Sequence, residues 1–445
     1  MYLRIDKLSH VSLHNIQVTS LFGLYLWDTV DSRQSSQYTT KYRPFPIPPA
    51  GEALYNSTNV SIVCPTIDWD DDLPRNVMTW LASRPREIIF VTVEREYNRL
   101  MDLLLWAPGI KEAALASGTE IDILTVQHAN KRSQLCRGIN EATGQIICLV
   151  DDDARWTSDQ VLTQLLAPFQ NPDVGLVGGP IGSYVPQNRQ RSNVITPWEV
   201  AALRIRSRRA PGMAAFYAAD GSTNFTVSGL TMLLRGEIVR DPYFQYLFTH
   251  DMWDGMRQNT GDDGFITRYI LFQHQLSHRN YSTLPPRQWK LGMQLTPEAE
   301  VLTSLLADRR YAAQSKRWFR SGLRLRLTCL LYEPGFAGMR ITAPYMARKM
   351  LGGMANPLFT ALRLYLWMHL WLTHPIIAAL FLVLYVLRNW FTSLRSFHRQ
   401  YPYCGKKIWA AILADNLYLI TDIYSYFTLS RESWSNRSTV PGVLE

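Results

Sequence analysis

A run of three aspartates at the end of an apolar segment constrains the fold more than any other feature. Residues 146–150, Ile-Ile-Cys-Leu-Val, are typical of a strand buried on both faces of a parallel sheet. Asp151, Asp152 and Asp153 follow at once. Their like charges repel one another, and open α/β sheets bind ligands where their strands end. The pattern predicts a divalent cation held by carboxylate oxygens, with a solvated turn as the alternative.

Predicted strands and helices alternate around this apolar segment. The other predicted strands are 60–65, 87–93, 121–126 and 174–179, and residues 131–142 are predicted as the helix that precedes the aspartate strand. Such alternation is typical of parallel βαβ units, so the predicted fold class is α/β with a Rossmann-like, mostly parallel sheet. The first strand lacks a following Gly-x-Gly-x-x-Gly, which argues against a dinucleotide ligand.

The charge balance of the 445-residue chain is basic, with 46 lysines and arginines against 37 aspartates and glutamates. Many arginines lie beside apolar segments, so we expect lipid headgroups and nucleotide phosphates as partners, and no nucleic acid. The five cysteines are scattered and show no Cys-x-x-Cys spacing. They predict neither a disulfide framework nor a structural zinc site, and they favour a reducing cytosol for the catalytic part.

The C-terminal part predicts contact with a membrane. Residues 358–387 are apolar, with a break around 373–375, which predicts either one kinked span or a tight hairpin. The basic segment that follows is expected to be cytoplasmic. Residues 409–429 are a second candidate span, with Asp415 and Asp422 on one helical face. These acids predict either a polar cavity in the membrane or an interfacial helix whose acids lie in water.

Two other segments predict a surface position on the membrane. Residues 11–30 predict either a poor transmembrane helix or an interfacial one, and a proline-rich linker follows. Residues 308–327 predict an amphipathic helix whose basic side faces lipid headgroups. The predicted divisions are a membrane-proximal segment and linker (1–50), a catalytic domain (51–325), interfacial and transmembrane helices (326–430) and a tail (431–445).

Further sequence features complete a candidate active site. The sequence Gly-Asp-Asp at 261–263 precedes a predicted helix, and Gln-Ser-Lys-Arg-Trp occupies 314–318. Lys131 begins the helix before the aspartate strand, and Ser-Gly at 228–229 predicts a turn. Each feature has a simpler explanation, because acids cap helices, tryptophans mark membrane interfaces, lysines are solvated and Ser-Gly pairs form turns. The specificity lies in their combination and order.

This combination resembles the processive family 2 glycosyltransferases, which include the cellulose, chitin and hyaluronan synthases. The family signature of D-x-D, an acidic pair and Q-x-x-R-W is matched by residues 151–153, 261–263 and 314–318. The tail sequences FHRQYPYCGKKIWAAILADNLY and YFTLSRESW resemble fungal type 2 glycosyltransferases known as polysaccharide synthases. The resemblance extends over residues 60–435.

The resemblance implies a cytosolic GT-A domain followed by interfacial and transmembrane helices, and an inverting transfer from a UDP-sugar. It implies that Mg²⁺ or Mn²⁺ is held by Asp151 and Asp153. The catalytic base is expected to be Asp263, with Asp262 beside it. The residues expected to hold the nucleotide sugar are Thr66, Asp68, Lys131, Asp151 and Arg317. The residues expected to contact the acceptor are Ser228, Gly229, Gln314 and Trp318.

One departure from the family pattern concerns the nucleotide base. The family has acids directly after its second strand, whereas this strand ends at Val93 and Glu94 is the nearest acid. Thr66 and Asp68, after the first strand, are therefore expected to share this role. Uracil remains the base that the resemblance implies.

The sequence thus predicts a membrane-bound glycosyltransferase that extends a β-linked polysaccharide of the cell-wall, capsule or hyaluronan type. The alternatives are a non-processive transferase with a lipid or glycan acceptor and a non-catalytic membrane scaffold with the same fold. Neither the transferred sugar nor the number of spans follows from the sequence, and a homo-oligomer is left open.

Successive side chains of an extended chain point to opposite sides, so Asp151 and Asp153 should face the metal and Asp152 should face away. We expect Asp153→Ala to lower activity roughly a hundredfold or more, because a metal ligand is lost, and Asp152→Ala to lower it far less. Release of UDP by membranes that contain each variant measures the difference. Equal losses would contradict this assignment of sides.

Overall fold

A seven-stranded sheet forms the centre of the computed structural model, which describes residues 2–49, 51–275 and 287–431. The strands in these ranges are Val60–Pro65 (β1), Glu87–Val93 (β2), Glu120–Val126 (β3), Ile146–Val150 (β4), Ala154–Trp156 (β5), Val174–Gly178 (β6), Ile181–Tyr184 (β7), Thr231–Arg235 (β8), Met252–Trp253 (β9), Met256–Arg257 (β10), Lys290–Met293 (β11) and Val301–Ser304 (β12).

The helices in the same ranges surround this sheet and extend from it. They are Tyr2–Lys41 (α1), Leu73–Leu81 (α2), Tyr97–Trp106 (α3), Ile110–Ser117 (α4), Lys131–Glu141 (α5), Val161–Leu166 (α6), Pro197–Ser207 (α7), Arg209–Asp220 (α8), Gly236–Val239 (α9), Pro242–Thr249 (α10), Asp262–Phe272 (α11), Arg310–Leu331 (α12), Gly335–Thr342 (α13), Pro344–Thr373 (α14), Pro375–Asn389 (α15), Arg395–Gln400 (α16) and Ile408–Tyr426 (α17).

The strand order of the central sheet is β11-β6-β8-β4-β1-β2-β3. Among these seven strands, β8 alone runs antiparallel to its neighbours. Every residue of β1, β2 and β4 is buried, as expected for strands covered on both faces. The predicted α/β class with a mostly parallel sheet is confirmed.

Alternate residues of the central strands pack into two apolar layers. Val63 and Leu149 belong to the layer that includes α5 and α11, whereas Ile62 and Cys148 belong to the layer that includes α2 and α6. Burial of one such aliphatic side chain contributes roughly 1.5–3 kcal/mol. A Cβ atom at Gly138 of α5 would lie 2.5 Å from a methyl carbon of Val63, so α5 needs this glycine to approach the sheet. This approach places the first residue of α5 at the edge where β4 ends.

A three-stranded sheet begins directly after the aspartates. Its central strand, β12, is antiparallel to β5 and parallel to β7. In this register Thr303 of β12 is opposite Ala154 of β5. A distant part of the chain therefore lies against the segment that carries the carboxylates.

The acids of α17 are paired with arginines of neighbouring helices. Arg204 of α7 donates to both oxygens of Asp415, with an Nη2 to Oδ2 distance of 2.6 Å. Nη2 of Arg326 on α12 lies 3.4 Å from Oδ1 of Asp422. Neither alternative predicted for these acids, a polar membrane cavity or exposure to water, describes these ion pairs. They hold α17 against α7 and α12.

The basic side of α12 is turned inward at two of its arginines. Arg320 and Arg324 are buried and both donate to the carbonyl of Arg431, and Arg324 also donates to that of Leu429. The prediction that these two arginines face lipid headgroups is wrong. Their guanidinium groups instead donate hydrogen bonds to backbone carbonyls of residues that follow α17. The helix also continues through the predicted domain boundary at residue 325.

The helices α14 and α15 form a hairpin that lies along α1. Arg363 of α14 forms an ion pair with Asp28 at 2.8 Å, and the guanidinium of Arg388 lies 4.8 Å from the ring centroid of Tyr25. Asp28 and Tyr25 lie one turn apart on α1, so α14 and α15 both contact the same part of α1. This is possible only if the chain reverses direction between them, at His374. Of the two predicted alternatives, the structure has the hairpin.

The hairpin exposes a large apolar surface. Within the described residues, Pro375–Gln400 is the one helical stretch that is long and apolar enough to cross a membrane, and it is almost entirely exposed. Leu364, Met368 and Leu372 of α14 are also exposed. An apolar surface of this kind marks a site of contact with a partner or with lipid. The predicted segment 11–30 is part of α1, a continuous 40-residue helix.

We expect Asp415→Ala to lower the free energy of unfolding by about 3–5 kcal/mol, because Arg204 would remain as a buried cation without its carboxylate. The Arg204 side chain is 2% exposed, whereas that of Arg208, which also contacts Asp415, is 61% exposed. Arg208→Ala is therefore the matched control, with an expected loss of about 0–1 kcal/mol. Denaturant titration of the purified protein measures both. A small loss in both variants would contradict a structural role for the buried pair.

Candidate active site

Lys131 holds the two acidic motifs together. It is the first residue of α5, whose N-cap Asn130 accepts a hydrogen bond from the amide of Ser133 at 3.1 Å. The Lys131 ammonium lies 2.7 Å from Oδ1 of Asp151 and 2.9 Å from Oδ2 of Asp262. The end of β4 and the start of α11 therefore meet at one cation.

The other two aspartates after β4 have different neighbours. The hydroxyl of Thr66 donates to Asp152 at 2.6 Å, and the hydroxyl of Thr303 donates to Asp153 at 2.7 Å. Asp152 thus faces the end of β1, whereas Asp153 faces β12. Thr66, predicted to contact the nucleotide, is fully buried, and its hydroxyl is engaged by Asp152. Any contribution of Thr66 to nucleotide binding would act through this carboxylate.

The two acids of the second motif occupy the first turn of α11. Gly261, directly before the helix, has a left-handed backbone with φ +71°, which favours glycine. Asp262 and Asp263 lie where the free amides and the dipole of a helix favour negative charge. The amide of Gly264 donates to Oδ1 of Asp263 at 2.7 Å. The helix-cap explanation and the catalytic role are compatible at this position.

The turn at Ser228 and Gly229 borders the same cluster. The Oγ atom of Ser228 accepts a hydrogen bond from the Leu230 amide at 3.3 Å, which stabilises the turn before β8. A Cβ atom at Gly229 would lie 3.5 Å from Oδ2 of Asp262 and 3.6 Å from Nζ of Lys131. The backbone of the turn therefore forms part of the wall. Its contact with an acceptor stays a prediction.

Arg132 stabilises the loop that leads into α11. Its side chain is 2% exposed and donates to the carbonyls of Phe248 at 2.7 Å and Thr260 at 3.0 Å, and to Asp251 at 3.1 Å. The first two residues of α5 are thus both cations that contact the start of α11. Lys131 binds the carboxylate of Asp262 there, and Arg132 binds the loop that leads into the helix. Sequence reasoning missed Arg132, although its position after Lys131 was a usable signal.

Burial and neighbouring charges set the protonation of the cluster. Burial raises the pKa of Asp151 to about 7, with the Asp153 and Asp262 charges adding to the rise and Lys131 opposing it. Burial also acts to raise the pKa of Asp262, but the Lys131 ammonium outweighs it and the pKa lies below its usual value. Burial, followed by the Asp262 charge, raises the pKa of Asp263. A raised pKa suits Asp263 to accept a proton.

The helix α12 forms the facing wall. A Cβ atom at Gly261 would lie 3.7 Å from Cβ of Ser321, so α12 passes beside the start of α11. Trp318 lies one turn before Ser321, and Gln314 one turn before Trp318, on the same side of the helix. Arg317 is adjacent to Trp318, and all three predicted residues are partly buried. Their contacts with donor and acceptor stay predictions.

Two arginines that sequence reasoning missed approach the cluster from α7 and α8. The guanidinium carbon of Arg206 lies 5.4 Å from the ring centroid of Trp318. Burial lowers the pKa of Arg206, opposed by the charge of Asp153, and burial lowers the pKa of Arg209, opposed by the charge of Asp263. Within the described ranges neither arginine forms an ion pair. Arginines also occur at positions 204 and 208, and the sequence alone does not distinguish which of the four lie near the acidic cluster.

The ends of β1 and β2 carry the remaining predicted nucleotide contacts. Asp68 is exposed and has a left-handed backbone with φ +57°, and Glu94 begins a short 3-10 turn directly after β2. Partial burial raises the pKa of Asp70, and the charges of Asp72 and Asp153 add to this rise. Asp70 therefore adds negative charge near Asp153, and it was not predicted. The acid-rich segment after β1 was its signal.

Comparison with known proteins identifies the class. A family model described as "Glycosyltransferase like family 2" matches residues 58–278. A protein named NDP-glycosyltransferase ltbB, from Aspergillus luteorubrus, is 34% identical over 419 residues, covering 94% of this chain and 97% of that protein. A type 2 glycosyltransferase from Zymoseptoria tritici is 35% identical over 293 residues, covering 66% of this chain and 55% of that protein. The chain thus spans about half the length of this second relative. It is a glycosyltransferase.

A solved structure shares the fold. The mannosyltransferase PcManGT from Pyrobaculum calidifontis, solved in complex with GDP-Man and Mn²⁺, has a TM-score of 0.53 and 14% sequence identity, covering 91% of this chain and 98% of that chain. This likeness supports a GT-A-like α/β fold. The sequence matches, and not this likeness, show that the chain belongs to glycosyltransferase family 2.

We expect Lys131→Met to lower stability in a pH-dependent way. Without the ammonium, the raised pKa of Asp151 would rise further and the pKa of Asp262 would rise above its unfolded value, so ionising these carboxylates would oppose folding. The loss should be about 3–5 kcal/mol at pH 8 and smaller near pH 5, where both acids bind protons. Denaturant titration at both pH values measures it. Arg137→Met, which removes an exposed cation of the same helix, is the control, and a pH-independent loss would contradict the bridge.

Proposed function

We propose that the protein transfers a sugar from a nucleotide sugar, expected to be a UDP-sugar, to a hydroxyl group of an acceptor held between Asp263 and Trp318. The observation that carries this proposal is the Lys131 bridge, which supports one shared site for residues 151–153 and 261–263. A diphosphate leaving group requires cations and metal-binding carboxylates close together. The name of the Aspergillus relative agrees with a nucleotide-sugar donor.

Asp263 is the proposed catalytic base. The acceptor hydroxyl would give its proton to the Asp263 carboxylate while its oxygen bonds to the anomeric carbon and the bond from that carbon to the diphosphate breaks. Attack from the side opposite the leaving group inverts the configuration, so an α-linked donor gives a β-linked product. The raised pKa of Asp263 and its hydrogen bond from Gly264 support this role, because they give a basic carboxylate in a fixed orientation.

The carboxylates after β4 fit a divalent cation. Asp151 and Asp153 offer only oxygen atoms, which Mg²⁺ and Mn²⁺ prefer. The repulsion that contributes to the raised pKa of Asp151 would be relieved by a positive ion. A bound ion would neutralise the charge that develops on the leaving diphosphate. Mn²⁺ in the Pyrobaculum mannosyltransferase agrees with this class of cofactor.

The finer part of the proposal is that the product is a β-linked polysaccharide made at the cytosolic side of a membrane. The Gln-x-x-Arg-Trp motif supports it, since the ring of a tryptophan such as Trp318 can stack on the apolar face of a sugar. The exposed apolar hairpin supports a membrane position for the chain. Arg317, next to Trp318, is proposed to hold phosphate oxygens as a planar fork.

Non-processive transfer to a lipid or glycan acceptor is the second candidate. The reversal of the chain at His374 favours this candidate. Within the described residues the exposed apolar helices form one hairpin, whereas export of a polymer would need a bundle of helices that surrounds it. The family assignment argues against a non-catalytic scaffold. Gel filtration of radiolabelled product separates the two enzymatic candidates, since a polymer elutes far ahead of a single transfer product.

We expect Asp263→Asn to lower sugar transfer by about 10²–10⁴-fold while UDP binding changes little, because the variant lacks the proton acceptor. The assay is UDP release by membranes supplied with Mn²⁺ and a panel of UDP-sugars. Asp159→Asn, at an exposed aspartate of the same domain, is the charge-matched control and should remain active. An active Asp263→Asn enzyme would overturn the base assignment. A wild type that transfers no sugar from any nucleotide donor would overturn the proposed function.

A further inference from the structure

Arg206 and Arg209 form a cationic pair beside the proposed acceptor site. The Nε atom of Arg206 is fully buried and has no hydrogen-bond partner among the described residues. Nη2 of Arg209 makes a long hydrogen bond of 3.4 Å with the carbonyl of Thr226. The two guanidinium groups are close enough for the charge of Arg209 to lower the pKa of Arg206, after burial, which is the larger cause. Two like charges are therefore held together in a partly dry site.

Buried cations in the same domain are satisfied by protein groups, which include carboxylates for Arg204 and Arg132 and carbonyl and hydroxyl oxygens for Arg235. Arg204, two residues before Arg206, is bound by Asp415 at 2.6 Å, and Arg132 lies 3.1 Å from Asp251. A buried cation that lacks such a partner is costly, because it has lost its hydration without a compensating charge. Arg206 and Arg209 are partly buried, and within the described residues neither forms an ion pair with an acid. A bound anion would offset this cost, so the pair is better explained as a ligand site than as a structural feature.

The position of the pair connects this anion with the acceptor. The charge of Arg209 acts on Asp263, the proposed base, and Arg206 lies against Trp318, the proposed sugar platform. A group bound by Arg209 therefore belongs to the molecule whose hydroxyl Asp263 deprotonates. The donor diphosphate is expected instead at the metal carboxylates and Arg317.

We infer that the acceptor carries a phosphate monoester, which Arg206 and Arg209 bind beside the hydroxyl that reacts. Two planar guanidinium groups present paired donors and two positive charges, which match the several oxygens and the double negative charge of a phosphate monoester. A neutral sugar would bring no negative charge to either guanidinium group, and the charges of Asp153 and Asp263 act on the pair without forming an ion pair with it. This inference rests on the proposed function, since it takes Asp263 as the base. The phosphate belongs either to a soluble sugar phosphate or to a phospholipid headgroup.

Equilibrium dialysis of the full-length, detergent-solubilised protein with UDP and Mn²⁺ tests the inference. Glucose 6-phosphate is expected to bind at least about tenfold more tightly than glucose, as charge-assisted hydrogen bonds imply. Arg206→Gln and Arg209→Gln should each remove most of this difference, and the charge-retaining Arg206→Lys should keep part of it. Arg208→Gln, at the exposed neighbour, is the matched control and should bind like the wild type. Melting temperatures of all variants establish that they fold.

The source of the phosphate is distinguished by competition with vesicles. Phosphatidylcholine vesicles that contain phosphatidic acid should displace glucose 6-phosphate if the acceptor is a lipid, whereas vesicles of phosphatidylcholine alone should not. Displacement by neither type supports a soluble acceptor. Equal binding of glucose and glucose 6-phosphate by the wild type would overturn the inference.

The affinity for UDP separates an acceptor role from a donor role. We expect the dissociation constant for UDP to change by less than about threefold in Arg206→Gln and Arg209→Gln. A fall in UDP affinity as large as the fall in glucose 6-phosphate affinity would overturn the inference, because the pair would then serve the diphosphate. Transfer to a neutral acceptor that both variants perform like the wild type would also overturn it, and would leave the proposed function intact.

Discussion

One ammonium group between two carboxylates determines the geometry of this site. Lys131 can bridge Asp151 and Asp262 because α5 begins at the edge where β4 ends, and α5 reaches this edge because Gly138 permits its close approach to β1. Without the bridge, the ends of β4 and α11 would bring negative charges together in a site with little water, where like charges repel strongly. The register of one helix on the sheet thus fixes the relative position of both acidic motifs.

The buried and partly buried arginines of the domain have two different roles, and their partners distinguish them. Cations satisfied by protein groups set the geometry: Arg132 binds the carbonyls before α11, and Arg324 binds those after α17. Arg206 and Arg209, which no described carboxylate neutralises, remain available to a ligand. An enzyme that handles phosphates needs both kinds, because a rigid frame and unsatisfied positive charge cannot be provided by the same side chains.

The sequence predicted the central sheet and the two acidic motifs because their signals are local. A wholly apolar strand that ends in aspartates, and a Gly-Asp-Asp sequence before a helix, are recognisable without knowledge of the tertiary partners. Arg320 and Arg324 of α12 were placed wrongly, and the ion pairs of the α17 acids were not predicted, because charges among apolar residues look alike on a membrane surface and in contacts between helices. Arg204 and Arg206 illustrate this limit: they lie on one helix two residues apart, yet one pairs with a distant aspartate and the other does not.

The same helix that contributes to the acceptor side also holds the apolar hairpin. Arg209 is the first residue of α8, and Asp220 is its last. The Asp220 carboxylate accepts hydrogen bonds from the amides of Tyr345 at 2.8 Å and Met346 at 3.1 Å, which caps the start of α14. Helix α8 therefore spans roughly 18 Å between the active site and the base of the hairpin. Because a single short helix makes both contacts, the orientation of the hairpin at a lipid surface would also fix the orientation of the acceptor site relative to that surface.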